Sequence, residues 1–435
     1  MKKTRLLMLS TLLLSTAFLF NGCLKDKCNN SATFTEWTPI YVSDANFRPE
    51  PKLQAARPLK NPGKIYFYDN YMLINEEKEG IHIIDNSNVQ SPQNIGFINI
   101  AGNVDMAIKG DILYADSYMD LLAINISNIS LPRLVKRTQD VFQGRFWRDP
   151  QRGWLVGYKS ELVTKDLECN DPRLSGGSTW FREGDRIFYA QADASSSKSS
   201  FPTSATPSPG AAPAGTGGSM ARFTLISDYL YIINNSQVQI YTVKKLDNPT
   251  LATTVNVAWN IETLFPFGDK LFIGSTTGMF IYDVSNPLKP VQFSHFTHAR
   301  MCDPVVAEGT TAYITLRNGT TCQGFNNQLE IVDIKNLRTP QLIKIYPMRN
   351  PRGLSVLDNM LYLCDDGFKI YDVTNANEVD KNLKAHIAGF DTYDVIAYNN
   401  GKQKVAMVIG KDGFYQFDVT NPSVPKELSK IPVVK

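Results

Sequence analysis

The chain has 435 residues, of which 43% are hydrophobic and 20% charged, a balance that excludes a disordered polymer. No apolar run is long enough for a polytopic membrane protein, and six cysteines are too few for a disulfide scaffold. The formal charge of +3 is carried by Lys2, Lys3 and Arg5, so the chain from Cys23 onward is formally neutral, which argues against a nucleic-acid partner, whose phosphates need a basic face.

Residues 1–22 read as an export signal: a charged start, then an apolar stretch from Leu6 to Phe20 that is short for a spanning helix. Phe20-Asn21-Gly22-Cys23 follows and resembles a bacterial lipobox, with a small residue before the cysteine. The resemblance implies cleavage before Cys23, lipidation of its thiol and an outer-membrane lipoprotein, periplasmic or surface-exposed. Lys25-Asp26-Lys27 is similar to the short charged tags that follow the lipid on exported lipoproteins, which favours the surface. Residues 23–62 then form a tether and lead-in segment.

From residue 63 onward the chain repeats itself. A pentapeptide with apolar first and third positions, most often closing on Asp, occurs at 81–85, 121–125, 238–242, 279–283, 329–333, 368–372 and 414–418, with a worn copy at 161–165. The intervals between copies centre on the 40–45 residues of a four-stranded propeller blade. Two longer intervals have visible causes. Residues 193–219 are a Ser/Pro/Ala/Gly tract with little to bury, predicted to be a disordered loop, and Arg317 to Asn327 is a polar insertion.

Within a unit such as 105–141, β-branched and aromatic runs alternate with turn residues. Strands are expected at 105–108, 112–115, 121–124 and 134–137. The residues after each motif, such as Asp283-Val284-Ser285-Asn286-Pro287, read as Asx turns rather than as a carboxylate constellation. The last unit supplies four strands of its own, at 394–398, 404–409, 414–419 and 427–434, so that closure by an N-terminal strand at Trp37–Val42 is possible but not required. The expected fold is all-β: a propeller of four-stranded blades over 63–435, with eight blades favoured and seven the alternative if the worn copy is spurious.

These pentapeptides, with the Asp-Val-Ser-Asn-Pro that follows them, resemble the LVIVD repeat family of bacterial and archaeal surface proteins. The resemblance implies a β-propeller at the cell surface and carries no catalytic residues with it.

Cys302, at the start of a first strand, and Cys322, in the polar insertion of the same unit, are expected to pair, whereas Cys364 reads as a buried thiol; the partners of Cys28 and Cys169 stay open. No His-Glu-x-x-His, Gly-x-Ser-x-Gly or phosphate-loop motif occurs, and neither a metal nor a cofactor is expected. In a propeller the loops joining strands two to three and four to one share one face. That face would gather Arg300, Asp303, Arg317, Arg352, Tyr393 and Asp394 with the acidic turns at Glu76–Glu79, Asp116 and Asp365. The expected function is a lipid-anchored, non-catalytic binding or scaffold module for an envelope protein or glycan. The alternative is a hydrolase or lyase acting on polysaccharide or peptide, with Asp105, Asp303 and Asp394 as its carboxylates.

Overall fold

The computed structural model describes residues 30–167, 179–183, 186–190, 216–258, 260–297, 304–317 and 327–434. The leader, Cys23, Cys28, Cys169, the tract from 193 to 215, Arg300, Cys302, Asp303 and Cys322 lie outside the described residues. Among those described, no helix is long and apolar enough to cross a membrane. The chain forms two compact units, a smaller one within Met1–Tyr41 and Leu155–Ser196 and a larger one within Val42–Trp154 and Ser197–Lys435.

The larger unit holds seven antiparallel meanders of four strands, here numbered as blades 1 (62–99), 2 (106–138), 3 (223–256), 4 (261–297), 5 (305–347), 6 (354–387) and 7 (392–432). The first strand of each blade lies against that of the next, and the first strand of blade 7 (Thr392–Asn399) lies against that of blade 1 (Pro62–Tyr68), completing a circle. With the sheet of the smaller unit there are eight sheets, matching the number of motif copies. The worn copy, Glu161–Lys165, falls on the strand Gly153–Leu167 of that other sheet, beside Asn30–Val42. Trp37–Val42 therefore belongs to the smaller unit's sheet. Blade 7 is built from its own four strands, and a bridge between Leu59 and Val433 joins the segment before blade 1 to the segment after blade 7.

Every intact motif copy is the third strand of its blade. Ile81, His82, Ile83 and Ile84 are all at most 1% exposed, because a blade is covered on both faces by its neighbours. That is why the run is continuously apolar rather than alternating. Each such aliphatic side chain contributes about 1.5–3 kcal/mol by burial.

The motif also ends in the turn the residues imply. The Oδ1 atoms of Asp85, Asn125, Asp283, Asp333, Asp372 and Asp418 each accept the backbone N–H two residues on, at 2.8–3.0 Å. A second Asx turn follows at Asn88, Asn128, Asn286, Asn336, Asn375 and Asn421.

One repeated feature escapes the residue pattern. In all seven blades the pairing of third and fourth strands slips by one residue at mid-motif, as between Ile83 and Ile84 or Ile281 and Tyr282. The unpaired residue is on the fourth strand: Ile95, Val135, Ala252, Phe293, Ile343, Lys384 and Leu428. A bulge there bends the outermost strand and sharpens its twist.

Candidate functional site

The acidic turns expected at the rim are structural pins. Glu76 ends the second strand of blade 1 and accepts the N–H groups of Lys60 and Asn61, with His82 Nε2 2.9 Å from its Oε2. Asp116 does the same in blade 2, taking Val104 N–H at 2.7 Å and Asp105 N–H at 2.9 Å. Asp365 in blade 6 takes Arg349 N–H at 3.0 Å and Asn350 N–H at 2.6 Å. In each case the segment entering the first strand leaves two N–H groups without a ladder partner, and a buried carboxylate satisfies both. Burial pushes the Glu76 carboxyl up, but His82 and the two N–H donors outweigh it and hold it below the usual range.

The middle of the ring is closed by the chain itself. Thr216–Gly217 pairs with Phe67 and Tyr66 on the inner edge of blade 1. Ser219 then takes up Asp394: its N–H and Oγ–H donate to Asp394 Oδ1 at 3.1 and 2.9 Å, and its Oγ accepts the Leu354 N–H at 2.7 Å. The Ala221 carbonyl accepts Leu264 N–H at 2.9 Å, and the Arg222 N–H donates to Asp105 Oδ2 at 2.5 Å. Residues 216–222 are thereby bonded to blades 1, 4, 6 and 7 and to Asp105 at the entrance to blade 2. The space among Lys64, Tyr66, Asp105, Gly217 and Ala221 admits no water molecule. Against the expectation of a disordered loop over 193–219, Thr216–Ser219 are part of the fold, because the inner strands of several blades offer them donors and acceptors at once; the rest of that tract lies outside the described residues.

This arrangement decides what two of the sequence-predicted residues do. Asp394 is fully buried against the segment, with no room for a side chain at Gly218 or Gly353 beside its carboxylate. Asp105 holds the Lys64 Nζ at 2.6 Å as well as the N–H groups of Arg222 and Phe223. Burial pulls the Lys64 ammonium below its ordinary pKa, against the opposing charge of Asp105.

Arg352 and Tyr393 come together, and Thr315, two residues before Arg317, donates its hydroxyl to the Arg352 carbonyl at 2.7 Å. Arg352 Nη2 lies 3.2 Å from Asp391 Oδ1, its Nη1 donates to the Thr392 carbonyl at 3.3 Å, and its guanidinium sits 4.9 Å over the Tyr393 ring. Burial, with the charge of Asp391, pushes the Tyr393 hydroxyl up to about 12. Arg317 is near enough to Arg352 that burial and this like charge lower its pKa, against Glu262 and Asp391. Sequence reasoning missed Lys64, Arg145, Ser219, Arg222 and Glu262. Ser219 and Arg222 stand at the end of a Gly/Ser run whose composition is that of a linker. Among the described residues no three His, Cys, Asp or Glu side chains converge as a metal site would need. Cys364 is a buried free thiol, and burial raises its pKa well above the ordinary value.

The LVIVD repeat model matches residues 101–140 and 306–347, the spans of blades 2 and 5. No curated protein matches the chain. Among solved structures, the chain is similar to a protein from Lactobacillus plantarum at 10% identity and a TM-score of 0.47, covering 82% of this chain and 95% of that one. It is similar also to the periplasmic gluconolactonase PpgL of Pseudomonas aeruginosa at 10% identity and a TM-score of 0.48, covering 92% of this chain and 97% of that one. A third likeness is to Saccharomyces cerevisiae Sqt1, at 9% identity and a TM-score of 0.46, covering 86% and 97%. The chain thus carries LVIVD repeats in blades 2 and 5, and in each the motif copy is the third strand.

Proposed function

We propose that the protein is a lipid-anchored binding or scaffold module of the cell envelope, tethered through Cys23, whose rigid body is a ring of seven blades. The observation that carries this reading is the state of the inner carboxylates. Asp105 and Asp394, which a hydrolase or lyase would need free, are each committed to backbone N–H donors and to the segment 216–222. A general acid or base must be able to reach its substrate's proton, and these two are closed off behind chain. Arg317, Arg352 and Tyr393 remain at the mouth, a mixture of guanidinium and aromatic surface suited to holding a polar ligand or a protein loop. The lipobox supports the anchor, and the neutral chain beyond it fits a partner other than nucleic acid.

The test is cross-linked affinity capture of the natively expressed, C-terminally tagged protein from solubilised envelope, run beside Cys23→Ala and Arg352→Ala. A stoichiometric protein or glycan retained by the parent, lost with Arg352→Ala and absent from the membrane fraction with Cys23→Ala, is the expected result. Turnover of a polysaccharide or peptide that disappears in Asp394→Asn while binding persists would overturn it in favour of the enzyme.

A further inference from the structure

Blades 4 and 5 depart from the repeat at two positions that face each other. Among the seven residues left unpaired by the fourth-strand bulge, only Phe293 is aromatic. Two places past the asparagine of the second Asx turn stand Gln90, Ser130, Leu288, Arg338, Asn377 and Ser423, and only Arg338 is charged. The two meet across the boundary between the blades. The Arg338 guanidinium lies 4.1 Å over the Phe293 ring, and the Lys270 Nζ lies 5.4 Å from the same ring. Their backbones are fixed too. Ser294 donates its hydroxyl to the Leu337 carbonyl at 2.5 Å, and the Arg338 N–H donates to Asn336 Oδ1 at 3.1 Å.

Beside this pair is a cavity of about 380 Å³, lined by Phe293 and Arg338 together with Asp283, Asn286, Lys289 and Gln292. That volume is at the lower end of small-molecule sites and suits a sugar. All of its lining belongs to the described residues, and the segments 298–303 and 318–326 adjoin the opposite end of these strands. Asp283 is already committed: its carboxylate lies 3.2 Å from Lys270 Nζ and accepts the Ser285 hydroxyl at 2.6 Å. Among the described residues, neither the Lys289 ammonium nor the Arg338 guanidinium makes an ion pair. Stacking on Phe293 engages the face of the Arg338 fork and leaves the N–H donors at its edge. The neighbouring amides are spent only on their oxygens. Asn286 Oδ1 accepts the Leu288 N–H at 3.1 Å, and Gln292 Oε1 accepts the Tyr282 hydroxyl at 3.4 Å. Both NH₂ groups are left to donate. The cavity therefore gathers two cations without a counter-ion and two amide donors around an aromatic edge, a set that calls for a ligand rich in oxygen and negatively charged.

We propose that this cavity between blades 4 and 5 binds an acidic saccharide, its carboxylate held by Arg338 and Lys289 and its hydroxyls by the amides of Asn286 and Gln292. Phe293 is a positioning residue that holds the Arg338 fork in place before the ligand arrives, which lowers the ordering cost of binding. The site lies at the opposite end of the blades from Arg352 and Tyr393 and does not depend on how those residues are read.

The test is titration calorimetry of the purified full-length protein with trigalacturonate, with maltotriose as the neutral counterpart and sodium sulfate as the bare anion. Trigalacturonate is expected to bind, more weakly as salt is raised, and maltotriose and sulfate to bind far less. Affinity should fall about tenfold or more in Arg338→Gln and should fall also in Lys289→Gln. It should fall about threefold in Phe293→Leu, which keeps an apolar side chain and removes the ring. Arg133→Gln, at an exposed arginine on the fourth strand of blade 2, should leave it unchanged. Thermal unfolding reports whether each variant is folded. If Arg338→Gln is not, phenylglyoxal labelling of the parent replaces it, and trigalacturonate should protect Arg338. Absence of trigalacturonate binding, unaltered affinity in folded Arg338→Gln, or labelling of Arg338 that trigalacturonate does not slow would each overturn the proposal. Maltotriose binding as tightly would overturn the role of the two cations, and sulfate binding as tightly would overturn the saccharide.

Discussion

Buried tyrosines in this protein carry the same hydroxyl into opposite situations. Tyr346 donates to the Ala376 carbonyl at 2.7 Å and accepts the Val379 N–H at 3.1 Å. Tyr362 is fully buried, and its hydroxyl has no partner among the described residues. Removing an oxygen that is paired on both sides strands two backbone groups, whereas removing an unpaired one relieves a desolvation cost. Tyr346→Phe is therefore expected to lose about 1–3 kcal/mol, and Tyr362→Phe to be neutral or stabilising. Urea unfolding of the two variants checks this, and equal losses would refute the pairing argument. The same scale explains why the rim was misread: Glu76, Asp116 and Asp365 look like solvated charges in the sequence, and nothing local shows that each faces two orphaned N–H groups contributed by residues 11 to 16 positions away.

At the scale of the element, the turn after the motif has a pH signature. The hydroxyl and N–H of Ser285 hold the Asp283 carboxyl below its ordinary value, and Lys270 adds to this; Ser87 and Thr374 do the same for Asp85 and Asp372. A carboxyl whose pKa is lower folded than unfolded stabilises the fold fully above its unfolded pKa of about 3.9 and loses that contribution as pH falls through the lowered folded value. Asparagine makes the same turn at Asn125 without titrating. Asp283→Asn should thus change stability little at pH about 7 and make it fall less steeply below about 4 than in the parent; parallel urea midpoints across that range decide it. The start of the third strand has its own requirement. Gly413 adopts φ +148°, and a Cβ there would run into the Ile431 carbonyl of the fourth strand. Gly80 and Gly278 meet the carbonyls of Ile98 and Phe296 in the same way. Gly413→Ala should cost about 1–3 kcal/mol, read as a lowered thermal midpoint.

For the whole molecule, the segment 216–222 acts as a keystone. A ring of blades closes by contact between first strands that carry no ladder to one another, and this segment gives blades 1, 4, 6 and 7 a shared set of hydrogen bonds. Gly218→Ala, which places a Cβ against the Asp394 carboxylate, is expected to cost about 1–3 kcal/mol. Amide exchange should rise together in the first strands of blades 1, 6 and 7. Exchange confined to residues 216–222 would show the segment to be a passive filler.

The third strands and their Asx turns were legible in the residues because both depend on local chemistry: an apolar run that must be covered on two faces, and a side-chain oxygen within reach of its own backbone two residues on. The number of copies likewise announced the number of sheets. The tertiary structure decided which copies share a ring, since membership depends on which first strand meets which, and no pentapeptide encodes its neighbour. It decided also the fate of Asp105, Asp394 and Gly217-Gly218-Ser219. Their partners come from blades far apart in the chain, and a glycine-rich run whose composition alone reads as a linker becomes structure where several inner strands supply its hydrogen bonds at once.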